Sequence, residues 1–206
     1  MDATERKEHW QRIYSTKNDE ELSWFQPDAD VSLDLLLSPP LPPDASVLDV
    51  GGGTSRLVDG LLDRGYRNVT VLDVSDAALR KSAARLGERA STVRWVPADI
   101  TLWEPDQIYQ AWHDRAVFHF LPDPADRRAY RSTLYRALPP GGVLVLGTFA
   151  LDGPERCSGL PVQRYSEATL ARELGDGFRW ISGRNIDHRT PAGAVQRFQF
   201  SRWARR

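Results

Sequence analysis

Short apolar runs alternate with longer amphipathic stretches along most of this chain. The clearest runs lie at residues 46–50, 69–74, 93–96 and 143–146 and are rich in Val and Leu. A weaker run near residues 109–113 is expected to be the fourth strand in chain order. Strands that are buried on both faces carry such continuous apolar runs, and helices between them cover the two faces. The pattern therefore predicts βαβ units around a parallel sheet.

Residues that favour helix ends mark the limits of the predicted helices. The helix after the first strand should cover residues 55–64, because Gly65 stands where a helix C-terminus is expected. Ser75 is placed to cap the N-terminus of the next helix. A later helix ends at the Pro-Pro-Gly-Gly sequence of residues 139–142, just before the fifth strand.

The C-terminal part of the chain predicts an antiparallel pair of strands. Residues 178–187 and 194–203 read as strands, and Pro-Ala-Gly at residues 191–193 is a turn signal. A short helix at residues 166–174 precedes them. Together with five parallel strands, this pair predicts an α/β fold with a Rossmann-like, seven-stranded mixed sheet and helices on both faces.

The N-terminal segment, residues 1–45, lies outside the alternating pattern. It is rich in aromatic residues, among them Trp10, Tyr14 and Trp24, and prolines separate it from the first strand. We expect this segment to form a helical lid over a single domain of residues 46–206.

Composition argues against several classes of function. The formal net charge of the 206 residues is −1, and no cluster of cations faces phosphates, so no nucleic-acid partner is expected. No apolar stretch approaches the roughly 20 residues that span a bilayer, so no membrane partner is expected. No His or Cys cluster has the spacing of a metal site. The single cysteine, Cys157, excludes an internal disulfide and favours a cytoplasmic location. Its role and the oligomeric state stay open.

A glycine loop and two aspartates follow three consecutive strands. Residues 49–55, with the sequence Asp-Val-Gly-Gly-Gly-Thr-Ser, join the first strand to the first helix. Ligands of open α/β sheets bind beyond the carboxyl ends of the strands, where glycines allow close approach to the backbone. Asp73 ends the second strand, 22 positions after Gly51, and is placed to accept hydrogen bonds from ribose hydroxyls. Asp99 follows the third strand and is placed to accept from an adenine amino group.

A nicotinamide cofactor fits this loop poorly. The NAD fingerprint requires a third glycine where this chain has Arg56, whose side chain would obstruct the packing of the helix under a pyrophosphate. A phosphate-binding loop ending in Gly-Lys-Ser or Gly-Lys-Thr is absent as well.

With these residues the chain resembles the class I, seven-strand S-adenosylmethionine-dependent methyltransferases over nearly its whole length. The resemblance implies S-adenosylmethionine as cofactor and methyl transfer as the reaction. The glycine loop, Asp73 and Asp99 are similar to that family's first three motifs, although Ser55 stands where many members have a third glycine. The resemblance implies the following cofactor contacts: Asp49, Gly51, Gly52, Gly53, Ser55, Asp73, Val74, Asp99 and Ile100. We also expect Trp24 to close over the cofactor and contact it.

The N-terminal segment carries a narrower resemblance. Trp10, Tyr14 and the Ser-Trp-Phe sequence at residues 23–25 resemble the lysine methyltransferases that act on elongation factor 1A and citrate synthase. Those enzymes often carry Asp-Lys-Gly after the fourth strand, where this chain has Asp-Arg-Ala at residues 114–116. A small molecule and a protein lysine therefore both remain candidate substrates.

Methyl transfer requires alignment of the nucleophile, exclusion of water and, for some acceptors, removal of a proton. The side chains responsible should lie past the fourth and fifth strands. We expect His119, Asp114 and Arg115 to be catalytic, with His119 as a candidate general base. The expected substrate contacts are Arg164, Tyr165 and Phe25.

The sequence favours an active methyltransferase that acts on a nucleophilic N, O or S atom of a small molecule or protein side chain. A catalytically silent subunit that keeps the fold and binds a partner is the alternative, and the full set of cofactor residues argues against it. A nicotinamide-dependent oxidoreductase is a third candidate, disfavoured by Arg56.

Overall fold

A mixed seven-stranded β-sheet organises the computed structural model, which describes residues 1–206. The strands lie in the order β3-β2-β1-β4-β5-β9-β8, and β9 runs antiparallel to both of its neighbours. The five N-terminal strands are parallel, so the predicted Rossmann-like mixed sheet is confirmed. The strands of the sheet are β1 (Val47–Val50), β2 (Val69–Asp73), β3 (Val93–Pro97), β4 (Ala111–Arg115), β5 (Val143–Phe149), β8 (Phe178–Arg189) and β9 (Val195–Arg205). A separate two-stranded hairpin consists of β6 (Arg156–Cys157) and β7 (Leu160–Pro161).

Helices cover both faces of the sheet, because alternate residues of each strand point to opposite sides. In β1, Val47 belongs to one apolar core and Leu48 to the other. The helices α2, α3 and α4 pack on the first core, and α5 and α6 on the second. The helices are α1 (Ala3–Thr16), α2 (Asp30–Leu36), α3 (Leu57–Asp63), α4 (Asp76–Leu86), α5 (Pro124–Ala137) and α6 (Glu167–Leu174).

The local signals for helix ends act as the sequence predicts. Ser75 caps α4 by accepting a hydrogen bond from the backbone of Ala78 at 3.2 Å. Gly65 follows α3 with a φ of +88°, the left-handed conformation that glycine tolerates best. The fourth strand begins at Ala111, two residues later than the sequence pattern suggested, and runs through Arg115.

The N-terminal segment divides into two parts that pack differently. The helix α1 lies over α4, and an aromatic group of Trp10, Tyr14 and Trp24 gathers beside Phe120, with the Trp10 and Phe120 rings 4.9 Å apart. The helix α2 instead contributes to the main core beneath the sheet. Only the part before α2 therefore covers the carboxyl ends of the strands. None of the helices combines the length and the apolar character needed to cross a membrane.

Candidate functional site

The loop after β1 leaves no room for side chains. Gly51 and Gly53 adopt φ angles of +65° and +48°, and a Cβ atom at Gly52 would lie 2.6 Å from a carboxylate oxygen of Asp49. The amides of Gly51 and Gly52 donate hydrogen bonds to the carbonyl oxygen of Leu72 at 2.7 and 3.2 Å. The loop is thus held against the end of β2, at the point where the order of strands reverses.

A cavity of about 690 Å³, counting its open mouth, lies beyond the carboxyl ends of the strands. The aromatic side chains of the lid close one side of it, and the strand ends close the other. It brings together seven of the residues predicted for the site: Gly51, Asp73, Val74, Asp99, Ile100, Trp24 and Arg115.

A second cavity, of about 500 Å³ with its open mouth included, adjoins the first and is lined by the glycine loop. Tyr14, Trp24, Gly51 and Arg115 line both cavities and therefore form the wall between them. The predicted residues Asp49, Gly52, Ser55 and Phe25 line the second cavity. Gly53 lines neither, but its carbonyl oxygen accepts a hydrogen bond from Ser82 on α4 at 2.7 Å.

Asp73 presents a buried carboxyl group to the first cavity. One carboxylate oxygen accepts the backbone N–H of Ser75 at 2.8 Å. Burial raises the pKa of Asp73 to about 7, the nearby charge of Asp49 raises it further, and N–H donors from Ser75 and Gly53 oppose the rise. The ionised form of this carboxyl group is therefore favoured by any ligand that brings additional hydrogen-bond donors.

Asp99 is paired with a residue of the lid that the sequence did not single out. The Nε atom of Arg6 lies 3.3 Å from Oδ2 of Asp99, and Nη2 of Arg6 donates to Asp126 at 2.9 Å. The other oxygen of Asp99 accepts from the backbone and hydroxyl of Thr101. Arg6 thereby ties α1 to the floor of the first cavity. No local sequence signal identifies it, because both of its partners are distant in the chain.

Asp49 ends a chain of buried polar groups. Its Oδ1 atom lies 2.7 Å from Nδ1 of His113, and Nε2 of His113 lies 2.8 Å from the hydroxyl of Ser32. The order Ser-His-Asp resembles a hydrolase triad, but Ser32 lines neither cavity. His113 therefore orients the carboxyl group of Asp49. The second oxygen of Asp49 stays without a hydrogen-bond partner beside the glycine loop.

Asp114, predicted to be catalytic, faces away from both cavities. It is fully buried and accepts hydrogen bonds from the backbone of Val117 at 2.8 Å and from the hydroxyl of Tyr130 at 2.7 Å. Burial raises its pKa to about 6, against the effect of those donors. The carboxyl group closes the turn after β4, where Ala116 adopts a left-handed φ of +83°. This position does not fit the predicted role at the methyl group.

Arg115 points the opposite way and lies in the wall between the cavities. Its Nη1 atom donates to the carbonyl oxygen of Trp24 at 2.9 Å, and its guanidinium carbon lies 5.0 Å from the centre of the Phe198 ring. Its Nε and Nη2 atoms are shielded from solvent and have no hydrogen-bond partner. Burial lowers the pKa of Arg115 to about 10, so the group stays charged at neutral pH.

His119, the candidate general base, lines neither cavity. The side chain is fully buried, and its Nδ1 atom accepts the backbone N–H of Phe149 at 3.1 Å. Burial first, and then the charge of Arg115, lowers its pKa to about 3. A ring so weakly basic does not match a general base at neutral pH. Its position in a short 3₁₀ turn between Phe118 and Phe120 gives it a packing role.

The two residues predicted after β5 also lie outside the cavities. Arg164 pairs with Glu155 at 2.9 Å on the surface. Tyr165 is buried against Phe118 with ring centres 5.3 Å apart, and burial raises its pKa. Cys157 is buried with its sulfur 3.9 Å from the Ser23 hydroxyl, and burial raises the pKa of the thiol. Of the predicted substrate contacts, only Phe25 lines either of the two cavities beside the glycine loop.

Residues 47–142 match the family model of a methyltransferase domain. Nodulation protein S of Rhizobium tropici is 31% identical over 114 residues, which cover 55% of this chain and 47% of that protein. Trans-aconitate 2-methyltransferase of Agrobacterium fabrum is 33% identical over 114 residues, covering 55% and 42%. The eEF1A lysine and N-terminal methyltransferase of Mus musculus is 25% identical over 111 residues, covering 53% and 16%. The matches thus span less than half the length of these curated relatives.

Solved structures match more of the chain. The N-methyltransferase NodS from Bradyrhizobium japonicum, in complex with S-adenosyl-L-homocysteine, has a TM-score of 0.74 and 17% identity, covering 97% of this chain and 98% of that one. A structure concerning the conversion of a disulfide bond into a thioacetal group during echinomycin biosynthesis has a TM-score of 0.75 and 21% identity, covering 97% and 92%. At these identities the likeness establishes the fold. Residues 47–142 thus match a methyltransferase domain, and the chain has the seven-strand, Rossmann-like fold of the solved methyltransferases.

Proposed function

We propose that this chain is an S-adenosylmethionine-dependent methyltransferase that acts on a nucleophilic N, O or S atom of a small molecule or protein side chain. The observation that carries the proposal is the first cavity, in which Asp73 and Asp99 follow adjacent strands beside a glycine loop. The match of residues 47–142 to a methyltransferase domain and the S-adenosylhomocysteine complex of a structural neighbour support the choice of cofactor.

The residues present fit this cofactor. Asp49 and Asp99 line the cavities, and the Oδ2 atom of Asp49 is shielded from solvent and accepts no hydrogen bond. The Oδ2 atom of Asp99 accepts no hydrogen bond either and has only the ion pair with Arg6, at 3.3 Å. Shielded acceptors of this kind are costly unless a ligand supplies donors, and the adenine amino group and the methionine ammonium group are such donors. Gly51 lines both cavities and Gly52 lines the second, so that the backbone of the glycine loop borders the space in which the methionine portion would lie.

Each part of the cofactor then has a partner in the chain. Asp73 accepts from the ribose hydroxyls, Asp99 with the backbone of Ile100 holds the adenine, and Asp49 with the glycine loop holds the methionine portion. The bound cofactor supplies a sulfonium methyl group, an electrophile whose leaving thioether needs no proton. Trp10, Trp24 and Phe120 surround the cavity with apolar surface and exclude water from it.

The titratable side chains of the cavities are engaged in other roles: Asp73, Asp99 and Asp49 are assigned to the cofactor, and His113 is bound to Asp49 and Ser32. His119 and Asp114 lie outside them, and burial raises the pKa of the Tyr14 phenol well above its usual value. We therefore assign the acceleration to alignment and desolvation. An acceptor that is nucleophilic before binding, such as a neutral amine or a thiolate, suits such a site.

Titration calorimetry with S-adenosylhomocysteine and with NAD tests the cofactor. Asp73→Asn should weaken S-adenosylhomocysteine binding by about 1.5–3 kcal/mol, the range for hydrogen bonds to a charged group. Asp63→Asn is the matched control, because Asp63 is an exposed aspartate that pairs with Arg89 on the surface of α3. Binding of NAD without binding of S-adenosylhomocysteine would refute the proposal.

A screen with methyl-labelled cofactor and cell extract tests the reaction. Label should pass to an extract component with the unchanged protein and with Asp63→Asn, and much less with Asp73→Asn. Separation of protein-bound from small-molecule label identifies the acceptor class. A protein that binds S-adenosylhomocysteine but transfers no label to any fraction would instead be the silent binding subunit.

A further inference from the structure

Arg115 is an unpaired cation in the wall between the two cavities. It forms no ion pair within 4.0 Å, whereas Arg6, the other arginine of the first cavity, pairs with both Asp99 and Asp126. One of its nitrogen atoms donates to the carbonyl oxygen of Trp24, and the other two have no partner. The two free nitrogen atoms, Nε and Nη2, form one edge of the guanidinium plane.

No carboxylate lies within 4.0 Å of Arg115, although the charge of Asp49 is near enough to raise the pKa of the guanidinium group against the effect of burial. The ring of Phe198 lies beneath the guanidinium group, and His119 and His188 lie against that ring with centre distances of 6.2 and 6.1 Å. Burial lowers the pKa of both histidines, so both are uncharged near neutral pH. Burial likewise raises the pKa of the Cys157 thiol and keeps it protonated. A full positive charge therefore lies over an aromatic ring without an ion-pair partner.

Such an arrangement is unfavourable unless a ligand completes it. A shielded donor without a partner costs about 1–3 kcal/mol, and a shielded charge costs more. The fork formed by Nε and Nη2 matches the two oxygens of a carboxylate, which accept parallel hydrogen bonds from it. A lysine ammonium group would instead be repelled by the charge.

We propose that Arg115 binds a carboxylate group of the methyl acceptor, so that the substrate is an anionic small molecule and not a protein lysine. This inference rests on the proposed methyltransferase function. The carboxylate of the cofactor's own methionine portion is the one other source of the same chemistry, because Arg115 lines both cavities. Two experiments separate these sources.

The first experiment compares S-adenosylhomocysteine with 5′-methylthioadenosine, which lacks the amino-acid portion. Calorimetry gives the ratio of their affinities for the unchanged protein and for Arg115→Met. We expect the ratio to be the same in both proteins within about threefold, the size of a contact worth well under 1 kcal/mol. A ratio that collapses by about tenfold or more in Arg115→Met would assign Arg115 to the cofactor and overturn the proposal. Failure of the unchanged protein to bind either nucleoside would refute the methyltransferase function instead.

The second experiment titrates protein saturated with S-adenosylhomocysteine with succinate, tricarballylate and phenylacetate, and with the corresponding amides. At least one carboxylate should bind, its amide should not, and Arg115→Met should lose about tenfold or more in affinity, as expected for a charge-assisted pair. Arg115→Lys keeps the charge without the fork and should retain part of the affinity, which also guards against misfolding of the Met variant. Arg164→Met is the control, because Arg164 lies outside both cavities. Binding of no carboxylate, or equal binding by Arg115→Met, would overturn the proposal.

Discussion

The affinity for the nucleoside part of the cofactor should depend on pH through Asp73. Burial raises the pKa of Asp73 from 3.8 to about 7, so the free protein holds a proton on this carboxyl group below neutral pH. Ribose hydroxyls donate to the ionised carboxylate and favour it over the protonated form. Binding must therefore release the proton when the pH lies below about 7. The affinity should rise with pH and level off above that value.

The magnitude follows from the raised pKa. If binding lowers the pKa towards its usual value near 4, the dissociation constant should increase about tenfold between pH 8 and pH 6, at 1.36 kcal/mol for each unit. The ligand for this assay is 5′-methylthioadenosine, because it has no amino or carboxyl group that titrates in this range. Calorimetry in buffers of different ionisation enthalpy should also detect the released proton directly.

The control for this assay is Asp73→Asn, which cannot ionise. It should bind more weakly and lose the pH dependence, whereas Asp63→Asn should keep it. An affinity that stays constant from pH 6 to pH 8 in the unchanged protein would refute the reasoning. A pH dependence that persists in Asp73→Asn would assign the proton to another group, of which Asp114 is the nearest in pKa.

Three further predictions concern the lid and the turn after β4. Hydrogen exchange across residues 1–28 should slow when S-adenosylhomocysteine binds, because Trp10 and its neighbours then cover a ligand; unchanged exchange would argue against a lid. His119→Asn keeps an acceptor for the backbone of Phe149 and should retain turnover within about threefold, far from the 10²–10⁴-fold loss expected for a general base. Asp114→Ala should lower the free energy of unfolding by about 1–3 kcal/mol in urea, because it leaves buried donors without an acceptor. A stability equal to that of the unchanged protein would show that the turn does not depend on this carboxyl group.

The sequence predicts the sheet well because its signals are local and repeated. Apolar runs predict the strands, glycine and serine predict the helix ends, and the turn at residues 191–193 predicts the hairpin. The position of the residues expected to bind the cofactor can also be predicted from the sequence, since Asp73 and Asp99 follow adjacent parallel strands. Parallel strands bring their carboxyl ends to one edge of the sheet, and no long-range information is needed to place these side chains together.

The acceptor side depends on contacts that local patterns do not carry. Arg6 reaches Asp99 and Asp126 across more than ninety positions of sequence, and His113 reaches Ser32 across 81. The sequence suggests that Arg164 lines a pocket. Its ion pair with Glu155, nine positions earlier, instead holds it on the surface. For each of these residues, the type of side chain allows a role in binding or catalysis, but the partner that it contacts in the fold determines which role it has.

Two consecutive residues at the end of β4, Asp114 and Arg115, have different roles. Of the two polar residues at the end of this strand, Arg115 reaches the crevice and Asp114 does not, because successive residues of a strand point to opposite faces. Asp49 and His113 are paired in register on one face, and Val50 and Asp114 on the other, where Tyr130 and the apolar core of α5 lie. A carboxyl group on that face has only backbone amides and a phenol to bind, so it stabilises the turn. The guanidinium group on the facing side donates once, to the carbonyl oxygen of Trp24, and its Nε and Nη2 atoms have no partner within the chain; this is the edge to which we propose that the acceptor carboxylate binds.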